Sequence, residues 1–116
     1  MIANKSYRFA VRIVKLCQYL RDTRHEHILS QQLEKSGTSI RANVTEGQQG
    51  QSRADFVAKL SVALKETSET KYWLSLLYDT GYLTDREYQS IQRDCIEIEK
   101  MLTSILKTAK ANTVSK

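Results

Sequence analysis

Four cationic side chains at helical spacing are the residues in this sequence best suited to bind a partner. They are separated by three, four and three positions, and they are Lys5, Arg8, Arg12 and Lys15. That spacing places all four on one face of an α-helix, and Tyr19 continues the face. Cations in such a row neutralise phosphates and release counterions, which gives salt-dependent binding with little reading of base sequence. We call these four residues the basic row and predict that it binds RNA or DNA.

The charge of the chain is concentrated in the same region. The net charge is +5, and residues 1–25 alone hold six basic side chains against one acidic residue, Asp22. A basic element of this kind suits an acidic partner such as nucleic acid. Two other interpretations are a solvated face that only keeps the protein soluble and a cationic helix that lies on a membrane surface. The broad apolar face of the same helix favours burial in a bundle over membrane binding.

The sequence contains no pattern typical of a catalytic or metal site. His25 and His27 are two positions apart, so they point to different sides of a helix, and no cluster of cysteines or acids completes a tetrahedral zinc site. No histidine shares a face with a serine or threonine nucleophile, and no glycine-rich loop follows a strand. We therefore expect a protein that is not an enzyme and that uses no metal or cofactor.

The two cysteines fit the apolar pattern. Cys17 and Cys95 both occupy apolar helix positions, which indicates buried small hydrophobic residues. A disulfide between them is the less favoured alternative for an intracellular protein. No apolar run approaches the roughly 18 residues of a membrane span, and cations interrupt every candidate signal-peptide core. We expect a soluble, cytoplasmic protein.

Composition and periodicity predict an all-α fold. The chain has no proline and only four glycines, which permits long uninterrupted helices. Apolar periodicity and capping boxes predict one domain of four helices, at residues 4–21, 26–46, 53–80 and 85–110. Residues 111–116 are predicted to form a frayed tail. The fourth helix keeps a strict heptad from Tyr88 to Ala109, which is typical of left-handed, coiled-coil-like packing. Short connections make neighbours antiparallel, so we predict a left-handed up-down-up-down four-helix bundle.

A run of small and polar residues ends the second predicted helix. Gly37 within it indicates the close approach of another backbone, and Gly47 fits the position just past the helix end. Asn43 and Glu46 lie three apart on one face with Ser39. They either form a partner-binding patch or bond loop backbone and the third helix to hold the turn. Because polar groups at helix ends need partners, the structural interpretation is favoured.

This segment resembles the motif Ser-Ile-x-x-Asn-Ile-Ala-Glu-Gly of bacterial four-helix-bundle proteins encoded in 23S ribosomal RNA intervening sequences, often labelled S23 ribosomal proteins. The matching residues are Ser39, Ile40, Asn43, Glu46 and Gly47, whereas Val44 and Thr45 depart conservatively. Further matches are Phe56, Leu60, Ala63, Glu69 and the run 81–83, so the resemblance covers roughly residues 5–105. Lys65 and Glu66 replace a Gly-Ser pair that the family often has in its third helix.

The resemblance implies a left-handed up-down-up-down bundle and, for several relatives, a homopentameric ring. One branch of the family serves as the accessory variability determinant of diversity-generating retroelements, and those proteins bind nucleic acid and a reverse transcriptase. The ring agrees with the apolar surface of the first helix, which is wider than one neighbouring helix would cover. We expect Glu69, if it faces the same region, to join the network of Asn43 and Glu46. The rival hypothesis is a protein interaction scaffold in which the charge serves only solubility.

Overall fold

The computed structural model describes residues 1–114, with the side chains of residues 1–112. Its helices are α1 (Ile2–Asp22), α2 (Ile28–Gln48), α3 (Arg53–Asp79) and α4 (Asp85–Val114). No strand occurs in the described range, so the predicted all-α class with four helices is confirmed. The last helix continues beyond its predicted end at residue 110, through Val114. The rest of the predicted frayed tail lies outside the described residues.

Each helix packs against the next in the chain, and α4 returns to α1. The neighbours are antiparallel, since Ala3 of α1 lies beside Arg41 of α2 whereas Cys17 lies beside Ser30. The resulting molecule is elongated, with extents of 53 × 22 × 20 Å. Of the four neighbouring pairs, α1 and α4 are the least closely packed. This leaves a groove between them, which we call the α1–α4 groove.

The core follows the apolar positions of all four helices. Its α4 side is built from the predicted heptad, with five buried members: Ile91, Cys95, Ile98, Leu102 and Ala109. The opposing α1 side includes Phe9 and Ile13, which are 2% and 0% exposed. Burial of these side chains contributes roughly 1.5–3 kcal/mol each, which is the main source of the bundle's stability.

Small hydroxyl residues line the contact between α2 and α3. Thr70 Oγ1 donates a hydrogen bond of 3.0 Å to Ser36 Oγ, and both residues are fully buried. Thr70 Oγ1 also lies 2.8 Å from the carbonyl oxygen of Glu66, so no hydroxyl here is left without a partner. The small middle of α3 therefore lies level with Ser36 of α2.

The role predicted for Gly47 is wrong. Gly47 lies within α2, which continues to Gln48, and its φ is not positive. A Cβ on Gly47 would lie 2.6 Å from Leu60 Cδ1 of α3. Glycine at this position therefore leaves room for the Leu60 side chain of α3 and does not form a left-handed turn.

Gly37 also allows a close contact, but with a side chain instead of a backbone. A Cβ on Gly37 would lie 2.8 Å from Ile13 Cγ2 and 2.9 Å from Ile13 Cγ1. Its neighbour is thus α1, and the expected approach of another backbone is corrected to the approach of a buried isoleucine.

A buried carboxylate begins α2. Glu26 is 8% exposed, and its side-chain oxygens accept hydrogen bonds from the backbone N–H groups of Ile28, Leu29 and Ser30 at 3.2, 2.9 and 2.7 Å. A carboxylate at a helix N-terminus satisfies its free N–H groups and complements the helix dipole. The helix therefore starts at Ile28, two residues after the predicted start.

The capping box predicted for α4 is present. Glu87 N–H donates to Thr84 Oγ1 at 3.1 Å, and Thr84 N–H donates to Glu87 Oε1 at 2.8 Å. At the start of α3, a similar box formed by Ser52 and Asp55 has one of its two hydrogen bonds. Asp55 N–H donates to Ser52 Oγ at 3.1 Å, but the Asp55 carboxylate accepts from Gln51 N–H at 3.3 Å instead of from Ser52 N–H. Both boxes fix where their helices begin.

Candidate nucleic-acid interface

Two members of the basic row form ion pairs across the α1–α4 groove. Lys5 Nζ lies 3.4 Å from Glu97 Oε1, and Arg12 Nη1 lies 2.6 Å from Asp94 Oδ2. The second nitrogen of the same guanidinium, Arg12 Nη2, donates to Ser90 Oγ at 3.0 Å. These contacts hold the two cations in place along the groove.

The other two members are exposed and lie near carboxylates without pairing with them, Arg8 beside Asp94 and Lys15 beside Glu87. Arg8 and Lys15 are exposed, and neither forms an ion pair within the part of the chain that the structure describes. They alternate with Lys5 and Arg12 along the helix. An approaching anion therefore meets free cations beside cations that are already oriented.

A cavity of about 370 Å³ gathers most of the basic row. It is lined by Lys5, Arg8, Phe9, Arg12 and Asp94. Glu97, the ion-pair partner of Lys5, lies beside this lining, so three cations stand against two carboxylates and leave a net charge of +1 to attract an anion. The arrangement can bind phosphate groups by charge and by hydrogen bonds from guanidinium and ammonium.

The groove continues past Arg12 as a second, more apolar cavity of about 210 Å³. Its lining residues are Arg12, Lys15, Leu16, Leu83, Glu87 and Ile91. The fourth member of the basic row lies here, so the groove brings all four members to one strip of the surface.

Sequence reasoning missed the acidic side of the groove. Glu97 pairs with Lys5 of α1, although Arg93 and Lys100 are its neighbours at helical spacing within α4. Asp94 was not singled out at all. Both acids lie on the flank of the α4 heptad, where a residue faces the adjacent helix. That position is the feature of the sequence that could have predicted ion pairs with α1.

The motif residues of α2 bond mainly within their own helix. Ser39 Oγ donates to the carbonyl oxygen of Lys35 at 2.6 Å, and Asn43 Nδ2 donates to that of Ser39 at 2.9 Å. Ile40 is fully buried in the core. Asn43 thus contacts neither loop backbone nor α3 in the way we expected.

Glu46 connects the motif to α3 and Glu69 does not. Glu46 Oε1 lies 3.0 Å from Lys59 Nζ, with both side chains about half exposed. Glu69 is exposed and has no side-chain partner among residues 1–112, next to Thr70, which contacts Ser36. That contact places Glu69 near the level of Ser36, which precedes Asn43 along α2, so the expected network of three residues is not formed.

The cysteines are buried free thiols. Burial raises the pKa of both Cys17 and Cys95 to about 12. Cys17 Sγ donates to the carbonyl oxygen of Ser30 at 3.3 Å. Because the thiolate is the reactive form, both residues are inert near neutral pH.

Within residues 1–112, no group of at least three histidine, cysteine or acidic side chains is placed to hold a metal ion. None of the helices within residues 1–114 is long and apolar enough to span a membrane.

Comparisons with known proteins agree with the fold and its motif. A family model described as 23S rRNA-intervening sequence protein matches residues 1–104. A solved structure from Bacteroides thetaiotaomicron, described as a protein of unknown function from the S23 ribosomal protein family, superposes with a TM-score of 0.91 at 51% identity. The match covers 92% of this chain and 99% of that one. No curated protein matches. The chain belongs to the 23S rRNA-intervening sequence protein family.

Proposed function

We propose that this protein binds RNA or DNA through the α1–α4 groove, without a catalytic step, as an accessory factor. The observation that supports this most directly is the cavity that collects Lys5, Arg8 and Arg12. Phosphate is the anion that such a lining suits, because an Arg fork and a Lys ammonium both donate to its oxygens. The family description refers to ribosomal RNA, so RNA is the first probe to use and the cytoplasm is the compartment we assign.

Binding of this kind is driven by charge. Each cation that neutralises a phosphate changes the slope of log K against log salt by roughly 0.7–0.9. Contacts from these cations to phosphates carry no sequence information, so we expect affinity to depend weakly on sequence.

The experiment uses a double variant of the unpaired cations. Arg8→Ala and Lys15→Ala remove charge without leaving a carboxylate unpaired, and alanine preserves the helix. The matched control is Lys35→Ala with Lys65→Ala, two exposed lysines outside the groove. Fluorescence anisotropy with a labelled RNA should show weaker binding and a shallower salt slope for the groove variant only. Salt-insensitive wild-type binding, or equal affinity of the groove variant, contradicts the proposal.

We also propose a left-handed bundle that assembles into a homopentamer, as the family resemblance implies. Support comes from exposed apolar side chains on two outer surfaces, Tyr7 and Val11 on α1 and Val62 and Tyr72 on α3. Two different patches suit a head-to-tail ring. A ring multiplies a modest charged groove fivefold.

The same apolar patches are the observation that favours a protein scaffold as the second candidate function. The reverse transcriptase of a retroelement is the protein partner that the resemblance implies. A wild-type protein that binds such a partner but no nucleic acid supports the scaffold.

A further inference from the structure

An apolar cavity directly adjoins the charged one. The cavity of about 210 Å³ shares Arg12 with the cavity of about 370 Å³, and we call them the apolar cavity and the charged cavity. The apolar cavity lies between α1 and the beginning of α4, and three apolar side chains line it: Leu16, Leu83 and Ile91. Leu83 and Ile91 are 5% and 3% exposed, so core side chains form this wall. A group that enters here gains by burying apolar surface.

The charged residues of the apolar cavity restrict what can occupy it. They are Arg12, Lys15 and Glu87. Glu87 Oε1 accepts the Thr84 backbone N–H at 2.8 Å, so this carboxylate is held in the cap of α4. A carboxylate repels a phosphate but not a neutral ring. The two cations suit the phosphates that precede and follow such a ring along a strand.

The size of the apolar cavity indicates a small occupant. Pockets that bury a whole drug-sized molecule have volumes of about 300–1,000 Å³. A cavity of about 210 Å³ therefore suits a smaller group. A nucleobase is such a group, and it is attached to phosphates that Arg12 and the rest of the charged cavity are suited to bind.

We infer that the α1–α4 groove binds a single strand of RNA or DNA, with phosphates at the charged cavity and one unstacked base in the apolar cavity. This inference rests on the proposed function of the groove. The bases of a duplex are paired and stacked, so a duplex would place a base in the cavity only at the cost of unpairing and unstacking it. A single strand places a base there without unpairing it.

An exposed tyrosine follows the apolar cavity along α1. Tyr19 is 38% exposed and lies three residues after Leu16 and four after Lys15, so it is their neighbour on the helix surface. Bases of single strands stack on such rings, and stacking accepts any base. A second base therefore has a ring to stack on beside the base in the cavity. A face that served only solubility would need the charge alone.

The test uses three probes of equal length, each made as RNA and as DNA. They are a single strand, the same strand paired with its complement, and an abasic strand that keeps the phosphates without bases. Fluorescence anisotropy at several salt concentrations measures the affinities. Since stacking on one aromatic ring changes affinity by about fivefold or more, the wild type should bind the single strand at least about fivefold more tightly than the abasic strand. It should also bind the single strand more tightly than the duplex.

Two variants remove the base sites and keep every cation. Leu16→Phe fills the apolar cavity, and Tyr19→Ala removes the ring. Each should lose about fivefold or more of the single-strand affinity, while the slope of log K against log salt and the affinity for the abasic strand stay unchanged. Tyr19→Phe keeps a ring and should bind like the wild type, and Gln18→Ala, at the neighbouring exposed position, is the control. Circular dichroism checks the helices of each variant, and if Leu16→Phe does not fold, Tyr19→Ala and the abasic strand decide.

The possible failures are separable. Equal wild-type affinity for the single strand and the abasic strand, or tighter binding of the duplex, overturns the base site and leaves charge-driven binding by the groove intact. The same holds if both variants keep the single-strand affinity of Gln18→Ala. A wild type that shows no salt-sensitive binding to any probe overturns the proposed function, and the inference falls with it.

Discussion

At the scale of single residues, one carboxylate in the α1–α4 groove competes with an incoming phosphate for Arg12. The Asp94 carboxylate lies 2.6 Å from Arg12 Nη1, on the side from which a phosphate would approach. Asp94 lies close enough to repel an anion bound in the cavity. Because its side chain is 31% exposed, salt screens this repulsion. Asp94 therefore orients Arg12 and also limits the affinity of the cavity.

Replacing Asp94 by asparagine should tighten nucleic-acid binding roughly three- to tenfold at low salt, because one negative charge beside the phosphate is removed. The asparagine keeps an oxygen for Arg12, so the side chain stays oriented. Anisotropy titrations at several salt concentrations measure the change. Glu69→Gln is the control, since it alters net charge equally on exposed α3 surface. Equal tightening by both variants would show a general charge effect and reject the local role of Asp94.

At the scale of elements, α2 is fitted between two neighbours. Gly37 faces Ile13 of α1, Gly47 faces Leu60 of α3, and Ser36 contacts Thr70 of α3. Small residues at these levels let both adjacent helices come close. Each glycine destabilises the helix by about 1 kcal/mol relative to alanine, and the closer packing of the adjacent helices offsets this cost.

Gly37→Ala should destabilise the bundle despite the better helix propensity of alanine. The added Cβ would lie 2.8 Å from a fully buried isoleucine, and overpacking a core costs about 1–3 kcal/mol. Urea unfolding should show a net loss of up to about 2 kcal/mol. Gln32→Ala, at an exposed position of the same helix, should change stability little. A Gly37→Ala variant that gains stability would show that Ile13 moves aside easily.

Comparing α4 with α2 shows what sequence can predict about this fold. The Thr84 capping box placed the start of α4 at residue 85, as observed, and periodicity placed its end four residues before Val114, because both signals are local. The cap by Glu26 and the role of Gly47 were missed. The first depends on a tight turn that precedes the helix, and the second on which helix comes close. Neither is encoded by spacing along one helix.

At the scale of the whole molecule, the candidate site is a property of two helices together. The sequence predicted the cations of α1 as one row, and the structure places them along a single groove. It did not predict that α4 would pair with half of them while leaving its own cations exposed. Ion pairs between helices depend on which helices are adjacent and at what level. That information appears only when the bundle is assembled.

Assembly provides the last prediction. Tyr7 and Val11 are 56% and 36% exposed on α1, and Val62 and Tyr72 are 43% and 57% exposed on α3. Because a head-to-tail ring buries one patch against the other, light scattering at micromolar concentration should give five times the mass of one chain. Val62→Glu should reduce that mass to a single chain, while Gln89→Glu on the outer surface of α4 should not. A monomeric wild type excludes the ring. A pentameric Val62→Glu variant would instead place the contact between subunits away from Val62.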